Sequence, residues 1–425
     1  MTPTLRCCLS VCAVAAVMIP ASVAHADTVL DWNVHASQAI VTTGGQSPPR
    51  AFIRLAMVHL AIYDAVNAIE GQPFESYASK PLVTLPASSD AAVAAAAHDV
   101  LVALFPAQSA DLDAKYAVSL NALPNDTARA NGIAVGQQAA AAILVARAHD
   151  GRDGTVTYVP GSGPGVYVPT PPAFLAALSP ETPLVQPFAL RSASQFRPEA
   201  PPDFGRGLWA RDYREVKALG GMISSARTAE QTDIGRFWTD NTPLQWIRAW
   251  RALSVGNFLR PAENARYFAM LSTVSADALI ACWDAKYHYN FWRPVTAIRA
   301  GDMDGNPRTD PDASWIGLTI APNHPEYPSA HGCVSAAITQ TLAYFFESDE
   351  VCFSVDSNVA GLLSPVRSYS RFSEALEEIL NARVYGGMHY RNSTRVGAAL
   401  GRQVSRYMTK HFFRKPGQNE LQDSD

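Results

Sequence analysis

Residues 50–69 read RAFIRLAMVHLAIYDAVNAI. Apolar side chains run nearly all the way round this stretch, so it predicts a helix with no watered face, one that belongs inside a helical bundle. His59, Asp64 and Asn67 interrupt it. A buried polar group needs a partner, and these three are expected to satisfy one another or nearby backbone rather than to do chemistry.

Working outward, two more Ala-rich helical patterns follow, at roughly 89–105 and 127–149, the second ended by the turn HDGRDG. Eleven prolines between 160 and 202 exclude a regular helix there. Tyr167, Phe174, Leu175 and Phe188 are expected to anchor that segment as an ordered strap. Helical patterns resume near 205 and run to about 412, with loops around 301–327 and 348–372. Strand-like alternation is scarce. The fold class expected is all-α, with an N-terminal helical half (27–159), a Pro-rich strap (160–204) and a C-terminal helical half (205–425).

The first residues, MTPTLRCCLSVCAVAAVMIPASVAHADTV, place one arginine before an apolar run that closes on Ala24-His25-Ala26. That is the pattern of a signal peptide, residues 1–26, cleaved after Ala26. The run is short for a membrane anchor. No other segment looks long and charge-free enough to span a bilayer; AAVAAAAHDVLVALF comes nearest, and His98 and Asp99 interrupt it. The expectation is an exported protein, periplasmic or secreted. With 48% hydrophobic residues, 17% charged ones and a net charge of −4, the chain can build a large core. It has no Lys/Arg run of the kind a nucleic-acid binder carries. Beyond the leader, Cys282, Cys333 and Cys352 remain. An odd count argues against a disulfide framework; one bridge or three buried thiols are both open. The sequence sets no oligomeric state.

One stretch mimics a metal loop. GDMDGNPRTDPDA offers Asp302, Asp304 and Asn306, but Pro307 stands where a calcium loop needs glycine and Ala313 where it needs glutamate. It reads as a turn-rich loop.

Three segments carry chemistry. In DAKYHYNFWRP, Lys286 and Arg293 are seven residues apart, two helical turns, so they are expected to share a face near a helix end, among aromatic rings. In NHPEYPSAHGCVSAA, helical periodicity starts just after Ser329, which makes Ser329 an N-cap beside free backbone N–H groups, with His331 in the same turn. In LNARVYGGMHYRN, Arg383 ends one helical pattern, Gly386-Gly387 breaks it and His389 opens the next. Three cations, a hydroxyl, a helix N-terminus and two histidines suit a tetrahedral oxyanion.

K-x6-R-P, then P-S-x-H, then A/S-R-x5-H, in this order, resembles the vanadium-dependent haloperoxidase and type 2 phosphatidic acid phosphatase superfamily. FWRPVTAIR, HPEYPSAH and LAMVHLAIYDAVNAI look like its bacterial haloperoxidase-type members, and the resemblance covers most of the chain. It implies two packed four-helix bundles. It implies that Lys286, Arg293 and Arg383 bind the equatorial oxygens of vanadate or phosphate, with Ser329 and the Ala330 backbone N–H adding hydrogen bonds. His389 would bond the central atom, as vanadium ligand or as phosphatase nucleophile, and His331 would be the acid–base. Ala330 replaces a common glycine, a mild departure. Ser393 stands where the family often has an aspartate that orients the last histidine; without that charge, His389 is expected to be a weaker nucleophile. His324, five residues before Ser329, resembles the histidine of bromide-preferring members; the alternative is a loop histidine capping backbone before Pro325. The activity implied is oxidation of bromide or iodide by hydrogen peroxide, with vanadate as a Lewis-acid cofactor and Lys286 polarising the bound peroxide. The alternatives are an exported acid phosphatase acting on a phosphate ester, and a catalytically silent phosphate-binding protein.

Overall fold

The computed structural model describes residues 27–417; the signal-peptide expectation falls outside them. Thirteen α-helices lie among the described residues: α1 Thr28–Ser37, α2 Pro48–Ile69, α3 Ser89–Leu104, α4 Ser109–Asn121, α5 Thr127–Ala146, α6 Gly207–Leu219, α7 Ala229–Phe237, α8 Thr242–Gly256, α9 Pro261–Tyr289, α10 Pro294–Arg299, α11 Ala330–Phe345, α12 Phe372–Tyr385 and α13 Arg391–His411. Polar side chains start several of them. Asp27, Ser88, Asp126, Asn241 and Ser329 each accept from a first-turn N–H, and Thr228 with Gln231 closes a capping box.

Helices α1, α2, α3 and α5 form one bundle, and α9, α11, α12 and α13 the other. Helices α2 and α9 pack on each other, so a single apolar core runs through both bundles. This explains the all-round hydrophobicity of α2: every residue from Ala51 to Ala68 is buried. By length and composition alone α2 and α9 could each cross a bilayer, and 94% of each apolar window is buried inside the fold. The helix singled out from sequence, α3, is instead one half of a pair bent by 120°.

The polar residues of α2 are structural. His59 Nε2 meets Asn33 Nδ2 at 2.9 Å, and its ring stacks on Phe268. Asp64 accepts from the backbone N–H groups of Tyr77, Ala78 and Ser79, and Asn67 pairs with Phe74. The partners are mostly loop backbone rather than one another. Asp304 of the calcium-like stretch is engaged by Trp209 Nε1 and Thr309 Oγ1, as befits a turn.

Between α5 and α6 no α-helix forms. This strap is tied down by backbone: Tyr167 N donates to Asn290 O, Trp292 N to Gly165 O and Leu178 N to Asn323 O. Buried Asp277 accepts from the N–H groups of Phe188, Ala189 and Leu190 at 2.6, 2.7 and 2.9 Å. Tyr167 and Phe188 are buried anchors, as expected. Phe174 and Leu175 are not: they are 63% and 57% exposed, because the chain there turns outward through a left-handed residue at Phe174. The loop after α11 holds a small antiparallel hairpin, β1 Phe353–Asp356 with β2 Val366–Tyr369. Four-residue strands leave too short a pattern to read.

Candidate functional site

The chain reaches the site from three directions. Lys286 sits in the last turn of α9. Asn290 then adopts a left-handed conformation, φ 48°, and ends the helix. Arg293 lies beyond it in extended backbone as N-cap of α10, because the following proline disfavours helix. The expected shared helical face is therefore absent; the two cations converge because the chain turns between them. Ser329 caps α11, its Oγ accepting from Gly332 N. Arg383 lies in the last turn of α12. The corner after it needs Gly387, which has φ 75° and packs so tightly on Gly220 and Gly317 that a Cβ would collide. His389 follows two residues before α13 rather than inside it.

All three cations are buried. Lys286 Nζ donates to Pro325 O and Glu326 O at 2.8 and 2.9 Å. Arg293 donates from Nε to His324 O, from Nη1 to Met388 O and His389 Nε2, and from Nη2 to His324 Nδ1. Arg383 Nη1 reaches Trp238 O and Nη2 the sulfur of Met388, while its Nε has no protein partner. Burial lowers Lys286 to about 8, Arg293 to about 10 and Arg383 to about 9. Arg293 adds repulsion to both Lys286 and Arg383.

His389 is held by a group that sequence reasoning missed. Its Nδ1 donates to Glu326 Oε1 at 2.8 Å, Tyr390 N donates to the same oxygen at 3.1 Å, and Ser393 Oγ donates to Oε2 at 2.6 Å. The carboxylate expected to be lacking at Ser393 thus comes from Glu326, 63 residues before His389 in sequence. The inference of a weaker His389, drawn from Ser393, is overturned on this geometry. A signal existed: a glutamate inside an apolar, proline-bounded stretch must find partners if buried. Burial, followed by Arg293 and Lys286, keeps His389 well below its ordinary pKa. The neutral ring donates from Nδ1 and accepts at Nε2 from Arg293 Nη1 at 3.1 Å. Burial also raises Glu326 to about 7, against the pull of Ser393, Arg293 and Lys286.

A cavity of about 180 Å³ joins these groups, lined by His324, Ala330, His331, Arg383 and His389 on its polar side and by Leu178, Leu279, Trp283 and Val334 on its apolar side. Lys286, Arg293 and Ser329 stand just behind that lining. His331 keeps part of its surface in the cavity, and its Nε2 meets Thr242 Oγ1 at 3.1 Å. Burial and the three cations hold His331 neutral. Thr242, in the first turn of α8, left no trace in the sequence as a site residue. His324 is buried, 4.9 Å from the ring of Trp283. Arg293 Nη2 approaches both ring nitrogens of His324, Nδ1 at 3.0 Å and Nε2 at 3.5 Å, and Nδ1 also lies 3.2 Å from Pro325 O, so the ring meets both the backbone and the cation.

The donor set fits a tetrahedral oxyanion. Lys286 and Arg293 stand against one buried carboxylate, Arg383 offers an unpartnered Nε, α11 presents its N-terminus, and His389 Nε2 accepts from Arg293 Nη1, a hydrogen bond that a central atom at Nε2 would replace. An anion among these cations would offset the burial that lowers all three and the Arg293 repulsion that adds to it at Lys286 and Arg383.

Residues 266–416 match the family model for the VCPO second helical-bundle domain. The chain is 26% identical over 162 residues to the vanadium chloroperoxidase of Curvularia inaequalis, a match taking in 31% of this chain and 26% of that enzyme's length. In structure it resembles a bacterial vanadium-dependent iodoperoxidase with a TM-score of 0.78 at 26% identity, covering 92% of this chain and 96% of that one. A bacterial vanadium-dependent chloroperoxidase in apo form shares the fold with a TM-score of 0.64 at 16% identity, covering 86% and 95%.

Proposed function

The chain belongs to the vanadium-dependent haloperoxidase and type 2 phosphatidic acid phosphatase superfamily, and from that premise we propose that it oxidises bromide or iodide with hydrogen peroxide. The observation that carries this reading is the gathering of three buried cations about His389, with Arg383, His389 and His331 lining one small cavity. Vanadate bound there would supply a Lewis-acidic centre that activates hydrogen peroxide toward halide.

The chain's own groups do the rest. Lys286, Arg293 and Arg383 neutralise and orient the oxyanion, helped by the Ser329 hydroxyl and the Ala330 N–H. Glu326 holds the His389 tautomer, so that Nε2 is presented to the central atom. His331 moves a proton at the cavity, its ring aimed by Thr242. Leu279, Trp283 and Val334 keep bulk water off, which strengthens each charge interaction. His324 walls the cavity where halide would approach, and the iodoperoxidase likeness is in keeping with an easily oxidised halide. Export by the N-terminal leader belongs to the same proposal.

A phosphatase reading is favoured by one observation: the Glu326–His389 pair is also what a histidine nucleophile needs. Purified protein loaded with orthovanadate is therefore assayed for bromination and iodination with hydrogen peroxide, and vanadate-free protein for hydrolysis of a chromogenic phosphate ester. Halogenation that falls at least about 100-fold in His389→Ala is expected. Ester hydrolysis without halogenation would overturn the proposal in favour of the phosphatase; phosphate binding with neither activity would mark a silent member. His324→Phe should shift the bromide-to-chloride rate ratio, and an unchanged ratio rejects that residue's role.

A further inference from the structure

Two thiols meet behind the cavity. Cys282 on α9 and Cys333 on α11 are fully buried, with their sulfurs 2.8 Å apart. That is closer than two thiols pack side by side and about 0.8 Å longer than a covalent S–S bond. The sulfur of Cys282 also lies 3.8 Å from Pro328 O. The pair is not incidental in position. Lys286 follows Cys282 by one helical turn, and Ser329 and His331 precede Cys333 within the first turn of α11. Cys333 N donates to Ser329 O at 3.0 Å. On its far side Cys333 lies against α13, where Gly397 leaves it room. Cys352 is exposed and lies in the segment after α11, so it does not compete for this pairing and corrects the expectation of three buried thiols.

We propose that Cys282 and Cys333 form a redox site, a disulfide that fastens α9 to α11 directly behind the oxyanion-binding residues. The oxidant is a low-molecular-weight disulfide. One protein thiolate attacks it, forming a mixed disulfide and releasing one small thiol. The second protein thiolate attacks the mixed disulfide at the protein sulfur, the Cys282–Cys333 bond forms, and the second small thiol leaves. Two protein thiols lose two electrons and two protons, and one small disulfide becomes two thiols. Both sulfurs are fully buried in the closed fold and out of reach of a dissolved oxidant, and burial pushes the Cys333 thiol up; the bond forms as the chain folds or when the α9–α11 seam opens. Once formed, it is screened from reductants and closes a loop of 51 residues, which restricts the unfolded chain.

The test uses the full chain carrying Cys352→Ser. It is reduced, unfolded and refolded in glutathione buffers spanning reduced to oxidised ratios, then acid-quenched, alkylated and digested. Peptides containing Cys282 and Cys333 should be cross-linked to each other without glutathione attached. The oxidised protein should unfold a few degrees higher than the reduced one, and this difference should vanish in Cys333→Ala and in Cys282→Ala. Two alkylated thiols in refolded protein across the whole range would overturn the proposal. So would a cross-link that leaves the unfolding midpoint unchanged or lowers it. Should either alanine variant refold poorly, the same mapping on the Cys352→Ser protein decides the matter alone.

Discussion

Glu326 supplies the carboxylate that the family pattern often places at position 393, where this chain has serine. Both its oxygens are committed, one to His389 Nδ1 and Tyr390 N, the other to Ser393 Oγ. Ser393 is therefore not a gap in the site but a partner of the carboxylate. Glu326→Gln keeps the shape and removes the charge. Vanadate and phosphate affinity, measured by equilibrium dialysis, should fall about 10–100-fold, and Ser393→Asp in the same background should recover much of it. Unchanged affinity would show that His389 is oriented by something else. The residues proposed to touch the oxyanion were legible in the sequence because their types and spacing are local: Lys286 with Arg293, Ser329 with His331, Arg383 with His389. Glu326 and Thr242 were not, because what matters about them is whom they meet. Those meetings join residues 63 and 89 positions apart, and no local pattern encodes them.

At the scale of elements, helices announced themselves through period and caps, while their geometry at the ends did not. Lys286 and Arg293 look like one helical stripe; a left-handed Asn290 and the proline after Arg293 break it. The strap shows the same division. Its prolines exclude helix, but only the fold reveals that a buried aspartate holds it. Asp277 is pushed upward in pKa by burial and pulled back by the three N–H groups it accepts. Asp277→Ala would strand those donors in the core. A loss of about 3 kcal/mol or more is expected, read from the denaturant midpoint, with proteolytic cutting appearing between 185 and 200. A midpoint within error of the parent would mean that the strap is held by its aromatic anchors instead.

The whole molecule couples two bundles through α2 and α9, so titration deep in either one is felt as global stability. His59 is the plain case. Burial lowers it to about 3, against about 6.5 in the unfolded chain. A depressed pKa contributes stability that is complete above pH 6.5 and is lost as pH falls toward 3. Each pH unit in that window costs about 1.4 kcal/mol. His59→Gln can still bond Asn33 and cannot titrate there, so its acid unfolding, followed by circular dichroism, should move to lower pH; an unmoved transition would assign acid sensitivity elsewhere. The two-bundle plan itself was readable, since an all-apolar helix needs neighbours on every side. The small hairpin and the outward turn at Phe174 were not, since neither lasts long enough to set a period. One further consequence lies in what the cavity is made of: it is walled by proline, leucine and tryptophan, and in the proposed reaction its polar side chains, His324, His331, Arg383 and His389, are all taken up by the oxyanion, the halide and the proton, with Thr242 bonded to His331. Under the proposed reaction the protein keeps no polar group of that cavity for recognising what is finally modified. Product ratios with mixed organic acceptors should then mirror those of the free oxidant in solution, and the molecule would serve as a dispenser of reagent, indifferent to its target.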